Sequence, residues 1–220
     1  MFFGVLLGHE MAPEIVIKME VEQGAVHVDD YFWGHLVPEK YAEKHDMSPG
    51  TAREYLYNTY KSHEKTLQWC DIDFWSKELD LDIPALKEQI RHLIAVHPHV
   101  IEFLELMRKQ GKKIYFLTNA HGKTVKIKFR KTKIGKYFDD VLCSFDVGHP
   151  KEFVEFWEKA QKKIGFNKEN SVFIDDTEDC LKSARDHGIK YLIFKSSANS
   201  KAEPKKTDEF ITIHDFRELM

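Results

Sequence analysis

The sequence predicts an α/β protein: a three-layer core whose parallel sheet is covered on both faces, with an all-helical segment inserted after the first strand. Three observations predict it. Short apolar runs recur through the second half of the chain. Stretches with helical spacing of apolar residues separate them. Several of those stretches end on a glycine, a natural helix stop. Near-continuous apolar strands, as opposed to alternating ones, belong to strands buried on both faces, which is how a parallel sheet lies between two helical layers.

The first strand is read at Glu14–Ile17. From 29 to 95 only helical periodicity follows, over Tyr31–Asp46, Pro49–Glu64, Asp71–Leu79 and Ile83–Ile94. Ser48-Pro49 and Asp82 are start signals, since a short side-chain oxygen caps orphan N–H groups and proline fits the first turn. Beyond this block, helices are predicted over Val100–Gln110, Phe153–Ile164 and Glu178–His187, each followed by Gly111, Gly165 or Gly188. Strands are predicted at Lys113–Thr118, Asp140–Phe145, Ser171–Asp175, Lys190–Phe194 and Glu209–Ile213. The expected division is a discontinuous core, residues 1–28 and 96–220, and a helical cap, residues 29–95. Ser196–Lys206 reads as a polar loop.

Composition narrows the function classes. The 220 residues carry a net charge of −3, which offers no electrostatic case for nucleic acid as a partner. An apolar fraction of 42% is enough for a packed core. No apolar run reaches the roughly 18 residues of a membrane span. The opening MFFGVLLGHEM lacks a basic flank and a small-residue cleavage site, so it is expected to be an additional N-terminal segment and not a signal peptide. Cys70, Cys143 and Cys180 are widely spaced with no CxxC pair, as expected of thiols in a reducing, cytoplasmic setting.

Three places carry candidate chemistry, each at or beside a predicted strand end, where sheets of this class bind ligands. Phe116-Leu117-Thr118-Asn119-Ala120 brings a hydroxyl and an amide to a strand tip; the same pair also serves as ordinary turn chemistry. Val172-Phe173-Ile174-Asp175-Asp176-Thr177 places two adjacent carboxylates after a buried strand. Like charges so close call for a cation, and hard oxygen donors suit Mg²⁺; alternatively Asp176 or Thr177 caps the next helix. Gly148-His149-Pro150-Lys151 sets a lysine at the start of a predicted helix, where a cation opposes the helix dipole unless an anion faces it. The alternative is a surface lysine.

Taken together, the order Thr-Asn, Lys, Asp-Asp resembles the haloacid dehalogenase (HAD) superfamily, whose core is Rossmann-like. Within it, DDYFWGHLVPEKYAEK, HEKTLQWCDIDFWSKEL, FLTNAHGKTVKIK, GHPKEFVEFW and FIDDTEDCLKSARDHGIKY are similar to a purine 5′-nucleotidase branch acting on GMP and IMP. The resemblance runs from about Asp29 to the C-terminus. It implies a phosphatase whose partner is a small phosphorylated molecule, a purine nucleoside monophosphate. It also implies that Thr118 and Asn119 hold the phosphoryl group, that Lys151 neutralises it, and that Asp175 and Asp176 hold Mg²⁺. Tyr31, Phe32, Trp33, Trp69 and Trp75 fall in the cap segment, where they serve either as base-stacking groups or as cap core.

The first motif departs from this pattern. The family's first strand ends in Asp-x-Asp-Gly-Thr, with the first Asp as nucleophile and the second as general acid and base. Counting back without gaps from Asp29 puts Lys18 at the nucleophile position and Glu20 at the acid/base position, with Val21-Glu22 in place of Gly-Thr. A lysine ammonium cannot ligate Mg²⁺ or form an acyl phosphate. Phosphatase activity is therefore expected to be lost or residual, leaving either a degenerate hydrolase or a non-catalytic phosphate- or nucleotide-binding module. A shifted reading frame over Met19–Gln23, or a shifted strand register, would also account for so local a loss.

Overall fold

The computed structural model describes residues 14–17, 21–23, 26–196 and 204–220. A six-stranded parallel sheet organises it, in the order β6-β5-β1-β7-β8-β9. The strands are β1 (Glu14–Ile17), β5 (Lys113–Thr118), β6 (Asp140–Cys143), β7 (Ser171–Asp175), β8 (Tyr191–Lys195) and β9 (Ile211–Ile213). β1 lies between β5 and β7, with Ile17 opposite Phe116 on one side and Ile174 on the other. All its residues are buried, including Glu14. The Glu14 carboxylate accepts the Asn167 N–H and, at 3.1 Å, the Ser171 hydroxyl, so this charge at the strand's start is solvated by the protein.

Successive residues of β1 serve opposite faces of the sheet. Ile15 and Ile17 pack with Val100, Phe103, Leu104 and Met107 of α7 (Val100–Lys109). Val16 packs with Phe156, Trp157 and Ala160 of α10 (Val154–Ile164) and with Leu181 and Ala184 of α11 (Glu178–His187). That is the predicted three-layer α/β core. At about 25 cal/mol per Å² removed from water, these two packed faces supply most of the core's stabilisation. α11 stops at Gly188, whose φ of 98° is open to glycine and strained for other residues.

Between β1 and α7 the chain forms helices: α1 (Val28–Tyr31), running through a π-helical stretch (Phe32–Leu36) into α2 (Val37–Lys44), then α3 (Pro49–Lys61), α4 (Leu67–Cys70), α5 (Ile72–Glu78) and α6 (Ile83–Gln89). The Ser48 hydroxyl accepts the Thr51 N–H and Asp82 accepts the Ala85 N–H, so both start signals act as caps. Phe32, Val37, Ala52, Leu56, Ile72, Trp75 and Ile83 form a core of this block's own, joined by Ile127 from the sheet's helical layer.

Two features had no sequence signal. A small antiparallel sheet joins β2 (Val21–Gln23) to β3 (Val26–His27) and to β4 (Ala95–Val96). Its strands are too short to show a period. Helix α8 (Gly122–Thr132) buries only Thr124, Val125 and Ile127 and is otherwise rich in lysine and arginine, which hides its apolar face. Among the described residues, no helix is long and apolar enough to cross a membrane.

Candidate active site

The carboxyl ends of β5 and β7 bring the predicted residues together. Thr118 is the last residue of β5 and is buried; its hydroxyl accepts the Ala120 N–H at 3.1 Å, which closes the turn after the strand. Asn119 ties three loops. Its side-chain carbonyl accepts the Lys151 N–H at 2.8 Å, its amide donates to Glu152 at 2.8 and 3.0 Å, and its backbone carbonyl accepts the Ser144 hydroxyl at 2.8 Å. These bonds fix the Lys151 backbone relative to β5.

Lys151 is not the surface lysine that its isolated motif allows. It is wholly buried, with 0% exposure, and its ammonium donates to Asp175, also at 0%. Its carbonyl accepts the Trp157 indole N–H at 3.0 Å and the Ser183 hydroxyl, and its ammonium lies 5.4 Å from the Phe173 ring centre. Asp175 ends β7 and also accepts the Thr177 N–H at 2.9 Å. Asp176, next to it, is 8% exposed. Thr177 occupies the N-cap position of α11, but its side chain makes no capping bond. Two adjacent buried carboxylates with hard oxygen donors are a set that suits Mg²⁺. Lys18 and Glu20, which follow Ile17 in sequence, lie outside the described residues.

A cavity of about 750 Å³ opens from these strand tips beneath the helical block. Thr118, Asn119, Glu152 and Thr177 line its floor, and Trp33, Arg53, Tyr60 and Trp69 line the opposite wall. The cap aromatics therefore divide. Phe32 and Trp75 are core, at 0% and 1% exposure, although Trp75 also lines the cavity; Trp69 lines it and is exposed.

The helical block is clasped to the sheet's helices by Lys123–Asp73 at 2.7 Å, Lys65–Asp179 at 2.7 Å and Arg130–Glu88 at 2.8 Å. The Lys123 hydrogen bond holds the Asp73 carboxyl below its ordinary range. The three-donor group formed by Asp71, Asp73 and His121 thus already has a cation in place, the Lys123 ammonium, which reaches both Asp73 oxygens.

A further joint buries a lysine against a half-buried carboxylate. Asp29, where the helical block begins, accepts Lys87 of α6 at 2.8 Å and Lys128 of α8 at 3.2 Å, and the Lys87 ammonium stands 4.1 Å from the Phe32 ring centre. Burial pushes the Lys87 ammonium below its ordinary pKa, and Asp29 opposes that shift. Replacing Asp29 with Asn is expected to cost roughly 3 kcal/mol, because it strands a buried ammonium; the change in urea midpoint measures it.

A model of haloacid dehalogenase-like hydrolases matches residues 36–194. The chain is 32% identical over 192 residues to the GMP/IMP nucleotidase YrfG of Escherichia coli (strain K12), covering 87% of this chain and 86% of that protein. The chain belongs to the haloacid dehalogenase-like hydrolases. A glyceraldehyde 3-phosphate phosphatase of Methanocaldococcus jannaschii is 29% identical over 132 residues, covering 58% of this chain and 56% of its own. The crystal structure of a HAD phosphatase from Thermococcus onnurineus superposes with a TM-score of 0.76 at 21% identity, over 94% of this chain and 95% of that one, and confirms the HAD fold.

Sequence reasoning did not single out Tyr60, Lys87, Lys128, Glu152 or Arg53. Tyr60 had a readable signal: Ala52, Leu56 and Tyr60 repeat every four residues, which continues the buried stripe of α3 toward the cavity. Glu152 adjoins the lysine of its motif. Lys87 and Lys128 had no signal, since lone lysines on helices are normally solvated.

Proposed function

We propose that this chain is a HAD-type phosphohydrolase scaffold that binds purine nucleoside monophosphates, with Lys18 in place of the nucleophilic aspartate leaving phosphate release absent or residual. The observation that carries the binding reading is the buried Lys151–Asp175 pair at the strand tips, tied through Asn119 to a cavity that Thr118 and Asn119 line and aromatic rings wall. The similarity to the GMP/IMP nucleotidase across most of both chains supports the choice of substrate.

In this reading residues 29–95 act as the cap and residues 1–28 with 96–220 as the core. Thr118 donates its hydroxyl to a phosphoryl oxygen. Asn119 holds the Lys151 backbone in place. Lys151 offsets the charge that the phosphoryl group brings to Asp175 and Asp176. Asp175 and Asp176 would hold Mg²⁺, which would supply charge neutralisation of the phosphoryl oxygens. Lys18 favours the non-catalytic binding module as the second reading, because the ammonium offers no lone pair for attack on phosphorus while protonated.

Ligand-induced stabilisation tests the binding claim. With Mg²⁺ present, GMP or IMP near 100 Kd is expected to stabilise the folded chain by about 2.7 kcal/mol, read as a rise in Tm. No rise with either nucleotide, with or without Mg²⁺, would reject both forms of the proposal.

A further inference from the structure

Thr118, Asn119, Glu152 and Thr177 form the cavity floor, with Lys151 and Asp175 wholly buried behind it. Glu152 is the one charged residue among these four. It follows Lys151 in the turn that leads into α10, so the segment that carries the buried ammonium also sets a half-buried carboxylate at the cavity's edge. That carboxylate is held in place. The Asn119 amide nitrogen donates to its two oxygens at 2.8 and 3.0 Å, while the Asn119 side-chain carbonyl accepts the Lys151 N–H at 2.8 Å. The second bond fixes which way the amide faces, since only its carbonyl can accept.

A neutral amide does not discharge a carboxylate. Among the described residues Glu152 forms no ion pair, and Lys65, near enough to feel its charge, is already held by Asp179 at 2.7 Å. An uncompensated carboxylate repels a neighbouring anion, and a repulsive group is one of the two ways a site tells ligands apart. A phosphoryl group at the strand tips has Lys151 behind it, but whatever is joined to that group must leave across the floor, past Glu152, into the cavity. A sugar carbon passes without charge conflict. A second phosphoryl group does not. We propose that Glu152 is a charge filter: it admits phosphate monoesters of an uncharged body and rejects ligands in which a second phosphoryl group follows the first, nucleoside diphosphates above all. The proposal rests on the nucleotide reading above, with its phosphoryl group at the strand tips.

The test is equilibrium binding of GMP and of GDP, at equal free Mg²⁺, to the unchanged chain and to Glu152→Gln. The glutamine side-chain carbonyl accepts the Asn119 amide as the carboxylate does, so the exchange removes the charge and keeps the bond. The unchanged chain is expected to prefer GMP over GDP by about tenfold or more. In the variant that preference is expected to shrink by about tenfold, the order of effect of one unit charge at short range in a partly solvated site. An equal preference in both chains overturns the filter, as does an unchanged chain that binds GDP as tightly as GMP; either result leaves the nucleotide reading intact. A fall in both affinities together with a lower ligand-free Tm also overturns it, by making Glu152 only a support for Asn119. Binding of neither nucleotide to the unchanged chain rejects the nucleotide reading itself, and the filter with it.

Discussion

Rebuilding the first motif, with Lys18→Asp, Glu20→Asp, Val21→Gly and Glu22→Thr together, is expected to create Mg²⁺-dependent phosphate release from GMP and IMP. The gain should be on the order of 10³-fold or more, because loss of a nucleophile alone removes most of such an enzyme's rate. All four changes are needed. Lys18→Asp supplies the oxygen that attacks phosphorus and removes a cation, a change of two charge units. Glu20→Asp shortens the acid/base side chain by one methylene, and an error of about 1 Å costs on the order of 10²-fold. Val21→Gly restores the family's residue and its backbone freedom at the start of β2, where Val21 pairs with Val96. Malachite-green detection of phosphate, run beside the unchanged chain, decides the matter. Turnover in the rebuilt chain alone means that the rest of the site is competent. Comparable turnover in the unchanged chain would mean that another carboxylate is the nucleophile and that the register assigned to Lys18 is wrong.

Lys151→Met is expected to lower stability by about 3–5 kcal/mol, a large share of the 5–15 kcal/mol that typically holds a domain folded. The ammonium and the Asp175 carboxylate are both fully buried and bonded to each other. Methionine fills nearly the same volume, so the loss is electrostatic: a carboxylate is left in the core without its lysine. Pairing the change with Asp175→Asn should recover part of the loss, since the double variant no longer buries that charge. Urea denaturation of the two single variants and the double variant gives the coupling energy directly. Additive losses would show that the two groups do not stabilise each other, which the geometry of the pair contradicts. The melt should be read without nucleotide, because the same lysine is proposed to meet the phosphoryl group.

The core was legible because burial on both faces leaves a mark in composition. KIYFLT and SVFID have apolar interiors, and the predicted strands match Lys113–Thr118 and Ser171–Asp175 end for end. The run DVLCSF shows where such reading stops. Its last two residues begin a short helix, Ser144–Val147, since apolar character alone does not separate strand from helix. Helix α8 escaped notice because its lysines and arginines serve as clasps and site walls, so its surface composition is shaped by its neighbours and not by solvent alone. In the site, residues with a distinctive neighbour were readable: the paired aspartates, and the lysine after Gly-His-Pro. Asn119 was readable as a site residue but not in its manner of acting, because its bonds to Lys151 and Glu152 join residues more than thirty positions apart.

The central place of β1 also bears on how the chain is made. Ile17 emerges from the ribosome early, yet both of its neighbours in the sheet, Phe116 and Ile174, come much later. At common rates of translation the interval is on the order of ten seconds. Through that time a strand apolar from Ile15 to Ile17 waits with both edges unsatisfied. The helices over residues 28–93 meet mostly near neighbours and can condense on their own in the meantime. Assembly of the sheet is thus a late event that waits on the nascent chain's last third, and the waiting strand is a natural client for a chaperone that grips extended apolar segments.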